Sequence, residues 1–207
     1  LNKVSQSIVY IGKYLETTNQ QEKIIPLVGA IPDVLQQEQF VSQMKHRFLP
    51  PRLWEKNEIA IICGPGFEGW SPKSIERGIG GSEAAVIYQA KELTKLGYKV
   101  AVYADPRSEF GNHDGVEYKQ WYDINTKDIF NILILWRAIG FVDNNFYARK
   151  TYLWTHDVPA CPDYTEDRLK KITKLFVLSE YHKSLHKMQK DGQLVDVPED
   201  KFFITSN

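Results

Sequence analysis

The chain has 207 residues, 43% of them hydrophobic and 25% charged, which is enough to bury a core without a metal or disulfides. Lys and Arg number 26, as do Asp and Glu, and this neutrality, with no basic stripe, argues against a nucleic-acid partner. No segment has the roughly 18 consecutive apolar residues of a membrane-spanning helix, which leaves only peripheral membrane contact open. We expect a cytoplasmic protein, because no signal peptide is evident and the two cysteines suit free thiols.

The first fifty residues have apolar side chains at helical spacing. One face of a predicted helix carries Val4, Ile8, Ile11 and Leu15. Pro32 and Asp33 open a second helical pattern, which the prolines at 50 and 51 end. We therefore predict that residues 1–55 form a helical extension, or the end of an upstream helical domain.

From residue 56 onward, short apolar segments alternate with helical patterns. The predicted strands are 59–63, 99–103, 116–118, 131–135, 151–154, 175–178 and 202–205. The predicted helices are 81–96, 144–150, 166–172 and 179–190, and Gly97 is placed to end the first of them. This alternation predicts that residues 56–207 form an α/β domain, a Rossmann-like doubly wound parallel sheet with helices on both faces.

Polar groups follow several of these strands, at the sheet edge where such folds bind ligands. They are the glycine loop at 78–83, Asp105, Arg137, the pair His156 and Asp157, and Ser179, which should also cap a helix. This placement makes each of them a candidate site residue.

The glycine loop contributes Gly80, Gly81, Ser82 and Glu83 at a predicted helix N-terminus, where free N–H groups attract anions and hydroxyl groups. A dinucleotide fingerprint is disfavoured because Glu83 takes the place of its third glycine and the preceding loop is long. No Gly-Lys-Ser/Thr follows, so a P-loop is excluded. A flexible turn, with Glu83 merely stabilising the first helical turn, stays open.

His156 follows a predicted buried strand, where it could bond a sugar hydroxyl or a phosphate, or shuttle a proton. The neighbouring Asp157 could orient it, although an ordinary loop histidine stays open. A zinc site drawn from Cys63, His156, Asp157 and Cys161 lacks the usual ligand spacing. His182 and His186 lie four residues apart on a predicted helix, as two metal ligands could. No third ligand is evident, so we interpret them as part of a solvated helix face.

Five segments, in this order along the chain, resemble glycosyltransferase family 4, the glycogen-synthase-like enzymes with a GT-B fold. They are residues 80–83, 93–103, 156–159, 177–182 and 204–207. The resemblance implies the N-terminal, acceptor-side half of an enzyme whose two Rossmann-like domains face each other across a cleft. It also implies sugar transfer, with retention of configuration, from a nucleotide-diphosphate sugar to a glycan, a lipid-linked molecule or another hydroxyl acceptor, without a cofactor or metal.

By position, Gly80 and Gly81 match the family's loop near the donor phosphates and the acceptor, and His156 matches its active-site histidine. Ser179 matches the start of the helix after the sixth strand, whereas Arg137 is added from its place at a strand end. We expect His156 and Asp157 to act in catalysis and the remaining candidates to bind substrate.

The family's donor-binding half, with its pair of glutamates and its basic phosphate contacts, is not in this sequence. Because the leaving diphosphate needs stabilisation, we expect this chain to be nearly inactive without that C-terminal domain. The alternative is a non-catalytic Rossmann-like module that binds a glycan or a nucleotide.

Overall fold

The computed structural model describes residues 3–66, 68–159, 163–187, 189–190, 193–194 and 197–205. Within these ranges the helices are α1 (Lys3–Thr17), α2 (Ile24–Gly29), α3 (Asp33–Gln36), α4 (Gln39–Phe48), α5 (Ser74–Arg77), α6 (Gly81–Lys95), α7 (Glu166–Lys170) and α8 (Glu180–Leu185). Short 3-10 helices lie at Gln21–Lys23, Trp121–Asp123, Ile139–Asn144 and Glu199–Lys201.

The strands in the described ranges are β1 (Glu58–Ile62), β2 (Lys99–Ala104), β3 (Gly111–His113), β4 (Val116–Gln120), β5 (Ile129–Trp136), β6 (Tyr147–Trp154), β7 (Lys174–Val177), β8 (Gln189–Lys190), β9 (Gln193–Leu194) and β10 (Phe202–Ile204). Strands β8 and β9 form a separate antiparallel pair. The other eight form one sheet in the order β10, β7, β6, β5, β1, β2, β4, β3.

All neighbours in this sheet are parallel except β3, which runs antiparallel to β4 at the edge. The chain builds the sheet outward from β1 in both directions, so the order reverses beside β1, between β1 and β5. A crevice opens at such a reversal, beyond the carboxyl ends of the strands. The predicted α/β class and mostly parallel sheet are confirmed, and the strand order is compatible with a Rossmann-like fold.

The central strands are apolar because both faces of the sheet are covered. All five residues of β1 are buried, and alternate ones belong to different cores. Ile59 and Ile61 pack on the face that α6 covers, where Val86 and Ala90 are fully buried. The opposite face packs against the 3-10 segment Ile139–Asn144 and α7. The strand ends between these two layers are therefore held rigidly.

The N-terminal part is helical, around a small core of Ile8, Val28 and Val41. Helix α1 covers the first predicted pattern, the second pattern is divided into α3 and α4, and α2, which contributes Val28, was not predicted. The buried side of α1 differs from the predicted apolar face. Val4 and Ile11 are 50% and 44% exposed, whereas Gly12 is buried. A Cβ at Gly12 would lie 2.0 Å from the Met44 sulfur, so α1 approaches α4 through this glycine. The boundary at residue 55 stays a prediction.

Two helix predictions in the α/β part are wrong. The segment predicted as a helix at 144–150 is mostly the first half of β6, whose polar side chains face solvent while its backbone pairs with β5 from Tyr147 onward. The predicted helix at 179–190 ends at Leu185, and β8 follows. Gly97 has a φ of +90° directly after α6, as its predicted capping role requires.

Candidate functional site

A cleft of about 850 Å³ lies at the carboxyl ends of β1 and β5, where the strand order reverses. Its walls come from the segments that follow β1, β5 and β6 and from the glycine loop before α6. Four aromatic residues are among those that line it: Trp70, Trp136, Phe141 and Tyr164. We call this space the first cleft.

The charges that line the first cleft are mostly negative. Its carboxylates are those of Glu68, Glu83, Asp157 and Asp163. Among the described lining residues Arg137 is the sole cation. Carboxylate oxygens accept hydrogen bonds from hydroxyl groups, whereas they repel the oxygens of a phosphate. The lining therefore favours a ligand rich in hydroxyl groups.

The glycine loop enters this cleft at the N-terminus of α6. Gly78 has a φ of +85°, which favours glycine. Gly80 is the N-cap residue, and a Cβ there would lie 2.3 Å from Oε2 of Glu83. The hydroxyl of Ser82 donates to that same oxygen at 2.7 Å. The helix end therefore has its own carboxylate in front of it, and a Cβ on Gly81 would meet nothing within 4 Å.

Arg137 connects three walls of the first cleft. Its Nε donates to Oδ2 of Asp157 at 2.5 Å, and its Nη1 lies 3.7 Å from Oε1 of Glu83. Its backbone N–H donates to the carbonyl of Trp154 at 2.8 Å, and its φ is +65°. A left-handed conformation costs a residue with a side chain on the order of 1 kcal/mol. The surrounding contacts hold this strain at the point where the predicted site residues meet.

His156 lies behind the cleft, outside its lining residues. Its ring centroid is 4.6 Å from that of Trp154 and 6.2 Å from that of Trp136. Burial lowers its pKa to about 4, so the ring is neutral at pH 7. Its Nε2 is buried and has no hydrogen-bond partner in the described part of the chain. The Nε2 atom of His156 can therefore still form a hydrogen bond.

Asp157 does line the cleft, and its side chain is 55% exposed. The carboxylate bonds Arg137, and no hydrogen bond joins it to His156 among the described residues. The predicted orientation of His156 by its neighbour is thus not what this arrangement shows.

His182 and His186 are buried, so the predicted solvated face is wrong. They are 7% and 0% exposed. Nδ1 of His182 accepts from the Leu178 N–H at 3.2 Å, which leaves its Nε2 to donate to the Asp157 carbonyl at 3.0 Å. His186 Nδ1 donates to the His182 carbonyl at 3.0 Å, and burial lowers its pKa to about 4. His182 is therefore a support of the Asp157 segment, which sequence reasoning missed.

Ser179 is the N-cap residue of α8, as predicted, and its hydroxyl accepts from the His182 N–H at 3.0 Å. Neither Ser179 nor Asp105 is among the residues lining the first cleft. Ser179 is connected to the cleft only indirectly, since it caps the helix that carries His182, which in turn bonds the Asp157 carbonyl. A contact between Ser179 and substrate stays a prediction. The structure thus brings together Gly80, Glu83, Arg137 and Asp157, and places His156 just behind them.

The aromatic lining was missed by sequence reasoning. Trp70 and Trp136 are 4% exposed and meet edge to face, with ring centroids 6.3 Å apart. The backbone N–H of Trp70 donates to the Asp105 carbonyl at 2.9 Å, which fixes the position of this residue. The available signal was a tryptophan within a long loop after a buried strand, since large aromatics are typical of ligand pockets.

No group of three metal-ligating side chains occurs in the described ranges. The thiol of Cys63 is buried, and burial, with a smaller effect from Glu83, raises its pKa. Cys161, the other cysteine of the weighed zinc site, lies outside the described residues. Within the described ranges, no helix is both long enough and apolar enough to cross a membrane. Comparison with protein-family models, with curated proteins and with solved structures finds no match.

Proposed function

We propose that this chain is the acceptor-side half of a nucleotide-sugar-dependent glycosyltransferase with two facing Rossmann-like domains. The observation that carries the proposal is the first cleft, at the reversal of the strand order, whose described lining includes four carboxylates, one cation and four aromatic residues. Aromatic faces pack against the apolar faces of sugar rings, and carboxylates accept hydrogen bonds from their hydroxyl groups.

The charge of the cleft supports an acceptor role over a donor role. A nucleotide diphosphate needs several cationic or N–H donors, and here the sole cation of the described lining already bonds Asp157. The α6 N-terminus is likewise faced by the Glu83 carboxylate. In this proposal the second domain of the enzyme stabilises the leaving diphosphate, and this chain presents the attacking hydroxyl.

Each cleft residue then has a role that follows from its contacts. Asp157, more than half exposed, accepts a hydrogen bond from the acceptor hydroxyl and orients it. Arg137 holds Asp157 and Glu83 in place through its guanidinium. His156 is neutral, and its Nε2 has no partner among the described residues. If a sugar hydroxyl comes into contact with this ring, Nε2 can accept a hydrogen bond from it or donate one to it.

The test uses the complete gene product that contains this chain, offered a panel of nucleotide sugars and neutral or lipid-linked acceptors. We expect release of nucleoside diphosphate to depend on the acceptor. Asp157→Asn should lower kcat/KM about a hundredfold, in the usual range for a positioned proton acceptor. Glu117→Gln, on the exposed side of β4, is the matched control and should leave the rate unchanged. The proposal fails if no nucleotide sugar binds or turns over.

One observation favours a second candidate, a non-catalytic module that binds a glycan. His156 does not line the cleft, and its Nε2 is enclosed between two tryptophans. A module of this kind would bind oligosaccharides through Glu83 and Asp157 without any nucleotide. Glycan binding by the isolated chain, together with a complete gene product that turns over no nucleotide sugar, would select this function.

A further inference from the structure

A second cleft, of about 420 Å³, lies between α4 and the sheet, on the other side of the segment that follows β1. Pro65 and Phe141 line both clefts, so the two spaces adjoin. The ring of Phe141 stands against Gly64, where a Cβ would lie 2.6 Å from its Cζ. Phe141 is therefore the partition between the clefts, and Gly64 gives it room.

The two clefts differ in charge. The described residues that line the second cleft include His46, Arg47 and Lys127, and none of them carries a carboxylate. The Lys127 ammonium donates to the main-chain carbonyls of Arg47 and Leu49 at 2.6 Å, and in the described part of the chain it meets no carboxylate. Arg47 uses one nitrogen for Glu16, and its side chain is 67% exposed, so its other N–H groups face outward.

The remaining walls are flat and partly polar. Trp121 and Tyr122 meet edge to face at 5.5 Å and are half-buried, and Phe146 completes the aromatic lining. The amides of Gln43 and Asn144 add neutral donors. Such a set suits a phosphate group attached to an apolar or aromatic body: two cations for the oxygens and rings for the body.

We propose that the second cleft binds a phosphate ester on the acceptor molecule, while the hydroxyl end of the same molecule occupies the first cleft. This inference rests on the proposed function for the identity of the ligand as an acceptor. The charge division fixes the direction of binding, since four carboxylates in the first cleft repel a phosphate and the second cleft attracts it. The helical extension, through α4, thereby takes part in substrate selection.

The probe is phenyl phosphate, with phenol as its uncharged counterpart, added to this chain. Binding is followed by NMR through the indole N–H of Trp121, which a Trp121→Phe variant assigns. We expect phenyl phosphate to shift this signal and to bind at least about tenfold more tightly than phenol, as a charge-assisted contact provides. Arg47→Gln and Lys127→Met should each weaken phenyl phosphate binding about five- to tenfold and leave phenol unchanged.

The control is Lys13→Gln, which removes one exposed cation from α1 of the same extension and should change nothing. Because Lys127 also bonds the end of α4, thermal unfolding is measured for every variant. If Lys127→Met proves unstable, the inference is tested by Arg47→Gln, which changes an exposed side chain. Equal binding of both probes, or binding that Arg47→Gln does not change, overturns the inference. Arg47-dependent binding to this chain, together with a complete gene product that transfers no sugar, would instead retain the phosphate site and reject the transferase function.

Discussion

The first and second clefts share a wall but have opposite electrostatics. Among the described lining residues, carboxylates outnumber cations in the first cleft, whereas the charged side chains of the second are those of Arg47 and Lys127. Each cleft is built from different parts of the chain: β5, β6 and the glycine loop form the first, whereas the N-terminal helices complete the second. The comparison teaches that the sheet edge and the helical extension each complete a cleft, and that the two neighbouring clefts differ in charge.

The largest expected effect comes from the strained residue of the first cleft. Arg137→Gly removes the guanidinium and also relieves the φ of +65°. We expect turnover by the complete gene product to fall about a hundredfold or more, because Asp157 loses its partner. Stability should change by less than about 1 kcal/mol, since glycine accepts this conformation.

Arg137→Ala is the matched comparison, because it removes the same side chain and keeps the strain. It should lose the same activity and be less stable than Arg137→Gly by about 1 kcal/mol in denaturant unfolding. Equal stability of the two variants would show that no strain is stored at this strand end.

Crowding Phe141, the residue between the two clefts, should have the next largest effect, a loss of stability. Gly64→Ala places a Cβ 2.6 Å from the Phe141 ring on a residue with a φ of +66°. We expect a loss of about 2–3 kcal/mol from the free energy of unfolding, through both strain and overpacking. Gly97→Ala is the control, because its φ is +90° but a Cβ there meets nothing within 4 Å, so only about 1 kcal/mol should be lost.

The overpacking part is isolated by the double variant Gly64→Ala with Phe141→Leu. If the ring is what the new methyl group meets, the double variant should recover about 1 kcal/mol relative to the sum of the single variants. If the losses of free energy in the two single variants simply add, the new methyl group does not meet the Phe141 ring.

Much of the fold was predictable from the sequence, because buried parallel strands are nearly continuous apolar runs. The segments of β1, β2, β5 and β7 all show this pattern. The first half of β6 was not predictable, since its residues Tyr147 to Lys150 are largely polar and only pairing with β5 makes them a strand. Local patterns carry no information about such long-range pairing.

The candidate site was predictable in its location and less so in its chemistry. Strand ends in a parallel sheet share one edge, which is why Arg137, Asp157 and the glycine loop meet as expected. The bond between Arg137 and Asp157, the support from His182 and the aromatic lining depend on how the loops fold back. The second cleft was missed because its wall comes from α4, far away in the sequence.

A smaller effect is expected from pH, through His186. Its folded-state pKa of about 4 lies below the usual value of 6.5, so between these values the unfolded chain binds the proton and the folded chain does not. Stability from this source is present above pH 6.5 and is lost as the pH falls toward 4. By linkage, one such group contributes about 2 kcal/mol between pH 7 and pH 4.5.

Denaturant unfolding of the chain and of His186→Phe at both pH values measures this contribution. The variant should lose less stability on acidification by about that amount. His46 and His156, whose pKa values burial also lowers, should keep part of the dependence in the variant. An unchanged pH dependence in His186→Phe would contradict the assignment.

The smallest effect concerns the structural side of the second cleft. Lys127 holds the end of α4 through two main-chain carbonyls, so Lys127→Met should lower stability by about 0.5–1 kcal/mol. Arg47→Gln removes the contact of a 67% exposed arginine side chain with Glu16 and should change stability by less than about 0.5 kcal/mol. If both variants weaken phenyl phosphate binding equally despite this difference in stability, the second cleft binds the phosphate through charge and not through the packing of α4.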